Sequence, residues 1–516
     1  MIILDERNKL NRKILLGVPA LLGAFIVFFL TGKYGIGLSP DSIYYISVAR
    51  HMANGAGFIG YDGYSYVLQP PLYPLILGII KWGLHADPLI SAGYINGVIF
   101  GLIIYLTGIL LTKHINSSWL VVFGTVIALV SFVLIQLYLK ALTEPLFILL
   151  VLLYILFIEK YRKSGNVNSL IIFSISVALA CLTRYIGIIL ILSGVIGILL
   201  REHSVIKEKI YHAIGFVLIA SVPVGVWIIR NYILSGTLVG QRAESSYTLQ
   251  TNLLFLFNTV LKWFAPVQFE AKTWLLLIIA GTIFVLAVSY IIKGVKSEES
   301  NKYNDPIIIF VLLYSIFLTV SSTTTAYDRI ADRLLSPVYI PAIIIVFIFL
   351  DDILSRLSKY IRKKTLVAIS SALIVLWMIY PLGKTVYLVK DYIKNSGWGY
   401  SSDKWNSSET IKYLVAQKDK EMSNSVIYSN SPEVVYLFTN IIARWSPCKT
   451  MYNSPEIINN TSSIKRFWQQ DSNAKLVWFN NVDHKFLFTL DELKQNINIV
   501  KIHQFSDGEI FAIRDK

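Results

Sequence analysis

Eight ionisable residues stand where apolar runs of this sequence end: Asp41, Glu144, Arg184, Arg230, Asp328, Arg329, Asp332 and Arg333. Charges at the edge of a bilayer are costly unless they face a polar cavity or a partner. A mixture of carboxylates and guanidiniums suits one chemistry in particular, sugar transfer from a lipid phosphate. Arginines would hold the departing phosphate through charge-assisted, bidentate hydrogen bonds. A carboxylate would take the proton of an acceptor hydroxyl as that hydroxyl attacks the anomeric carbon. The same residues have plainer uses. Asp41 and Glu144 can cap helices, span-end arginines can snorkel to lipid phosphates, and Asp328 and Asp332 can pair with neighbouring arginines.

The elements that carry these residues must be membrane helices. Of 516 residues 55% are hydrophobic and only 15% are charged, more apolar surface than a soluble core needs. The net charge of +15 is not a nucleic-acid signal, because the basic residues cluster in short gaps between apolar runs. Eleven spans are expected, near 14–32, 88–112, 118–136, 145–159, 168–183, 185–200, 209–230, 273–293, 306–322, 335–351 and 365–383. With the N-terminus inside, the gaps rich in Lys and Arg all fall on the cytoplasmic face, as the positive-inside rule asks. The eight ionisable residues then share the outer face. The first apolar run is not followed by a small-residue cleavage site, so it reads as a retained helix.

The first outward loop, Lys33 to Asp87, holds two amphipathic stretches. Pro40 suits the start of a short interfacial helix that continues to Asn54-Gly55, with Asp41 in its first turn. Residues Pro70 to Trp82 are too short to span and suit the interface. The next outward turn is Tyr138-Leu-Lys-Ala-Leu-Thr-Glu-Pro145, and Arg184 lies in a tight turn between two spans. After Tyr380-Pro381 the composition turns polar. Residues 385–516 read as a small α/β domain, with strands near 425–429, 475–479, 497–502 and 509–513 and helices near 432–439, 463–470 and 491–496. The expected division is therefore a transmembrane unit, 1–384, and an extracytoplasmic one, 385–516. Cys181 and Cys448 offer no metal-ligand spacing.

A set of short motifs follows this layout. They are Asp41-Ser-x-Tyr-Tyr45 with Gly55-x-Gly-Phe58, Pro70-Pro-Leu-Tyr-Pro74, Thr143-Glu-Pro-Leu-Phe147, Thr183-Arg-Tyr185, Arg333-x-x-x-Pro-x-x-x-Pro341 and Tyr428-Ser-Asn-Ser-Pro432. In order and placement the chain resembles the GT-C glycosyltransferases that use polyprenyl-phosphate sugars, with the protein O-mannosyltransferases and aminoarabinose lipid A transferases as the nearest group. The resemblance implies a polytopic GT-C-like membrane fold and a base role for the first-loop Asp41. Relatives often carry a second acid next to that Asp. Here Ser42 follows it, and Glu144 is the candidate to supply the second carboxylate.

The expectation is thus a plasma-membrane glycosyltransferase with its N-terminus cytoplasmic and its C-terminal domain extracytoplasmic. It would move a hexose or pentose from a polyprenyl-phosphate donor to a lipid, glycan or protein acceptor, inverting the anomeric centre. Asp41 and Glu144 are the expected catalytic residues. Arg184, Arg333 and Arg329, with Tyr45 and Tyr185, are the expected substrate-binding ones. The sequence names no certain cofactor and leaves the metal requirement open; Asp41 and Glu144 could hold a divalent ion between them. The rival from another class is a transporter or flippase of lipid-linked sugars, which would call for paired halves and mid-bilayer charges. An oligosaccharyltransferase would call for Trp-Trp-Asp in the tail, and the tail has none.

Overall fold

The computed structural model describes all residues except 1, 203, 267–277, 279–280, 284, 288, 290–304, 423–424, 452–458, 460–472 and 514–516. Two expected elements, the span near 273–293 and the helix at 463–470, lie largely or wholly outside the described residues. Every other expected span is helical, although 118–136 is divided between two helices and 185–200 opens with a 3-10 turn.

The bundle is assembled from α1 (Ile2–Tyr34), α4 (Pro88–His114), α5 (Ser118–Leu129), α6 (Phe132–Tyr138), α7 (Glu144–Ser164), α8 (Val167–Thr183), α9 (Ile188–Leu199) and α10 (Ile206–Ser235). Later helices run over Asp305–Thr324, Asp332–Leu357 and Lys363–Lys394. By length and composition six described helices can cross a bilayer, or seven if α5 and α6, bent by 44°, form one span. The stretches Val167–Thr183 and Tyr185–Leu199 are shorter, so the expected eleven is not reached on this criterion. The reason α1 and α4 pack closely is visible in sequence. Gly93, Gly97 and Gly101 recur every four residues on α4, and a Cβ on each would meet Thr31, Phe28 and the Ala20 carbonyl of α1.

At one end of the bundle the first loop folds into α2 (Pro40–Ala53) and α3 (Leu72–Leu84). Ser39 caps α2, and a reciprocal Ser39–Ser42 capping box with Pro40 at the first position fixes where it starts. The expected surface helix is in fact roofed over. Ile43, Ile46, Val48 and Ala49 are all fully buried, because α3 packs on one side and the helix Pro432–Thr439 on the other. Arg50 clamps its far end, donating from Nε and Nη2 to Asp87 at 3.1 and 3.0 Å and from Nη1 to Asn440 at 2.8 Å.

The C-terminal domain is a five-stranded sheet in the order β2-β1-β3-β5-β4. The strands are β1 (Val426–Ser429), β2 (Ala443–Trp445), β3 (Ala474–Phe479), β4 (Ile499–Gln504) and β5 (Gly508–Ile513). β1 runs parallel to β2 and β3, while β5 is antiparallel to β3 and β4. The short β2 and the helix Glu409–Gln417 were not anticipated from the sequence. The helix Lys363–Lys394 runs unbroken through residue 385, where the composition changes.

Three remote segments are welded together just ahead of α2. Gly37 N–H donates to the Leu139 carbonyl at 2.7 Å and Ala141 N–H to the Gly37 carbonyl at 3.0 Å. Leu38 N–H donates to Trp398 at 2.9 Å and receives Tyr400 N–H at 3.0 Å. Residues 37–38 thus form the middle of a miniature parallel sheet. The strand has two faces. A Cβ on Gly37 would meet Lys140 and Trp398, whereas Ile36 and Leu38 help line a separate cavity of about 750 Å³ with Phe28, Leu89, Tyr94 and Phe438. Gly399 has φ +67°, and a Cβ there would stand 1.9 Å from the Leu38 carbonyl oxygen. Gly399→Ala is therefore expected to lower stability by about 1–3 kcal/mol through strain and loss of the weld. A melting curve in detergent checks this, and an unchanged Tm would remove the weld from the account.

The domain also buries one acid. Glu433 is fully enclosed, accepts from Tyr400 Oη and from Ser431 Oγ at 3.3 Å, and leaves Oε2 without a partner among the described residues. Burial pushes its pKa up from 4.5 to about 7. The folded chain keeps this proton between those values while the unfolded chain has lost it, so stability falls as pH rises from about 4.5 to about 7. Glu433→Gln should raise Tm at pH 8 and bring no gain at pH 4.5; a gain independent of pH would contradict this.

Candidate active site

Arg333, in the first turn of the helix Asp332–Leu357, stands between two carboxylates from distant parts of the chain. Its Nη2 donates to Asp41 Oδ2 and its Nε donates to Glu144 Oε1 at 2.7 Å. Glu144 is the first residue of α7 and is completely buried. A second guanidinium, Arg184 at the end of α8, puts Nη1 at 2.5 Å from the same Oε1 and donates to Thr143 Oγ1 at 3.0 Å. Thr143 Oγ1 in turn donates to Glu144 Oε2 at 3.4 Å. Asp41 Oδ1 accepts from Gln69 Nε2 at 3.2 Å, and its side chain keeps 33% of its exposure. Asp328, half exposed, lies 3.6 Å from Arg333 Nη1. Four of the expected residues, Asp41, Glu144, Arg184 and Arg333, therefore meet in one network.

Tyr45 joins them. It is 2% exposed on α2 and packs edge-on against Tyr73 of α3 at 5.5 Å between ring centroids. Burial, and then the nearby Asp41 and Glu144 carboxylates, push its phenol pKa far up, so Tyr45 is a neutral hydroxyl in this site. Tyr73 is buried beside it, feels the Glu144 charge, and its hydroxyl has no partner among the described residues.

Tyr185 and Arg329 are elsewhere. Tyr185 Oη accepts from Trp227 Nε1 at 3.2 Å and from Asn231 Nδ2 at 3.1 Å and donates to the Val67 carbonyl at 3.3 Å. Arg329 lies over the Phe255 ring at 4.0 Å, a cation–π contact on α11 (Leu249–Phe264). Asp332 accepts from Trp263 Nε1 at 2.8 Å rather than facing the network. Tyr185 belongs to a strap-holding set: Arg230 donates to the Tyr66 carbonyl, Asn231 to Val67 at 3.1 Å, and Arg242 to Leu68 at 2.7 Å. Successive carbonyls of 66–68 are thus held, and the next residue, Gln69, reaches Asp41. Gln69 escaped the sequence reading although it directly precedes the Pro70-Pro motif. A neutral amide shows no charge pattern.

The divalent ion envisaged between Asp41 and Glu144 does not fit this donor set. The Arg333 guanidinium bridges the two carboxylates, and their other oxygens are met by Gln69 and Thr143. No cluster of three or more His, Cys, Asp or Glu among the described residues is arranged for a metal.

The chain superposes on ArnT from Cupriavidus metallidurans bound to undecaprenyl phosphate with TM-score 0.54 and 13% identity, over 96% of this chain and 97% of that one. The archaeal oligosaccharyltransferase AglB from Archaeoglobus fulgidus, in complex with an inhibitory peptide and a dolichol-phosphate, matches with TM-score 0.53 and 10% identity over 90% and 69%. The chain has the GT-C fold. Within that fold, residues 69–227 also match the family model described as dolichyl-phosphate-mannose-protein mannosyltransferase, a stretch that includes Gln69, Glu144 and Arg184. A search of curated proteins gives no match.

Glu144 neutralises two guanidiniums from a fully enclosed position. Glu144→Ala is expected to cost about 3–5 kcal/mol, because it strands buried positive charge. Thermal unfolding in detergent measures the loss, and a Tm within a degree of the parent would mean that Glu144 is not the anchor.

Proposed function

We propose that the protein is a membrane glycosyltransferase that moves one sugar from a polyprenyl-phosphate donor to an acceptor hydroxyl. The observation that carries this reading is a partly exposed carboxylate, Asp41, held on both oxygens by Arg333 and Gln69 within a GT-C fold. The relatives named above are bound to undecaprenyl phosphate and dolichol-phosphate, which supports a prenyl-linked donor here. The orientation that fits the charge distribution puts the network on the extracytoplasmic side of the plasma membrane, with residues 385–516 above it and the N-terminus in the cytoplasm.

In this reading the acceptor oxygen attacks the anomeric carbon while its proton passes to the Asp41 carboxylate. A bond forms from carbon to acceptor oxygen, and the bond from carbon to phosphate oxygen breaks. The electron pair leaves with the phosphate, which gains one negative charge, and the anomeric configuration inverts. Glu144 fixes Arg184 and Arg333, and Arg333 sets the angle of Asp41. Its Nη1 edge, turned to Asp328 at the longest contact of the network, is the one a phosphate can take over. Tyr45 offers a neutral hydroxyl beside both carboxylates.

The test is transfer or hydrolysis by purified protein across a panel of polyprenyl-phosphate sugars, comparing the parent with Asp41→Asn. Turnover should fall about 10²- to 10⁴-fold with Tm little changed, as expected when a general base is removed. Near-normal turnover by a folded Asp41→Asn protein would exclude Asp41 as the base.

A further inference from the structure

The two arginines expected to receive a phosphate are already engaged. Arg333 is shared between Asp41, Glu144 and Asp328, and Arg184 is turned to Glu144 and Thr143. A third cation of the same neighbourhood is not. Lys140 lies four residues before Glu144, in the turn whose backbone forms the weld with Gly37. Among the described residues no carboxylate is within salt-bridge distance of its ammonium. Instead Nζ sits 5.3 Å from the centroid of the Trp398 ring, whose Nε1 is fixed by Asp391 at 2.7 Å. An indole face holds an ammonium more weakly than a phosphate at hydrogen-bond distance does.

From this geometry we propose that Lys140 is a further substrate-binding residue, whose ammonium leaves the Trp398 face to take the phosphate of the prenyl-linked donor. The inference rests on the glycosyltransferase reading and names the group that meets the leaving phosphate within it. Burial and the Arg333 guanidinium both press the Lys140 pKa below the ordinary lysine value, with Glu144 acting the other way. The ammonium is therefore short of negative charge, and a phosphate supplies it. The Tyr73 hydroxyl, which has no partner among the described residues and feels the same Glu144, is a second donor that such a ligand would satisfy. Because the phosphate gains a charge as the sugar departs, an ammonium with no prior ion pair stabilises the product side more than the donor. Trp398 also ties this cation to the segment leading into the C-terminal domain.

Binding of undecaprenyl phosphate and of uncharged undecaprenol to full-length protein in detergent tests this, by native mass spectrometry or by ligand-induced shift in Tm. Lys140→Met should weaken undecaprenyl phosphate at least tenfold and leave undecaprenol unchanged, and Lys140→Arg should recover affinity to within about threefold of the parent. Equal phosphate affinity in Lys140→Met would overturn the proposal, as would parallel losses for both lipids, which mark a packing role. Where Lys140→Met does not fold, Lys140→Gln keeps length and polarity and is read in the same way. The glycosyltransferase reading fails separately, if the parent binds the lipid phosphate and transfers no sugar from any donor. With an active parent, an increase confined to acceptor KM in Lys140→Met would assign the ammonium to an acceptor phosphate and overturn the donor assignment.

Discussion

A guanidinium shared between two carboxylates fixes the geometry on which the rest depends. Arg333 draws together the first loop, which brings Asp41, and the start of α7, which brings Glu144. Neither acid is adjacent to the other in sequence; the backbone bonds of Gly37 with Leu139 and Ala141 bring their helix starts near one another, and Arg333 joins the two carboxylates. A buried carboxylate such as Glu144 is tolerated only with compensating charge. Two arginines converge on it for that reason, and their convergence defines a point at the end of the bundle. Asp41, partly exposed, is then aimed by groups that are themselves held.

Around that point the fold supplies rigidity from the backbone. Carbonyls of residues 66–68 are gripped by donors of Arg230, Asn231, Tyr185 and Arg242, which fixes the strap and presents Gln69 to Asp41. The capping box at Ser39 starts α2 at one defined residue, so Asp41 falls in its first turn rather than a residue to either side. Positioning of this kind matters for proton transfer, because a base must lie within hydrogen-bond reach of the proton it takes.

Much of this was legible in the sequence, and the reasons differ by residue. Asp41, Glu144, Arg184 and Arg333 stood out because a charge at the end of an apolar run has few uses. The span positions followed from hydropathy, and α2 from Pro40 and the Asn54-Gly55 stop. Arg329 and Tyr185 looked equivalent to the others, since sequence gives the end of a helix but not its rotation, and an aromatic ring such as Phe255 can satisfy a guanidinium as a carboxylate does. The burial of α2 was hidden because its cover, the helix Pro432–Thr439, comes some 380 residues later. Strand β2 is three residues long, below the length at which alternation carries a signal. The bridging of two acids by Arg333, which displaces the idea of a shared metal ion, is a tertiary fact with no local trace.

The miniature sheet at Gly37 and Leu38 makes the C-terminal module a structural component of the membrane portion rather than an appendage. Its third strand, Trp398 to Tyr400, precedes the folded α/β unit and closes against the residues immediately upstream of Ser39. Exchange of that unit between related chains would therefore have to respect a junction beyond residue 400, not one at the membrane surface. The first loop therefore keeps its shape only while this short segment, Gly399 included, stays with the membrane portion.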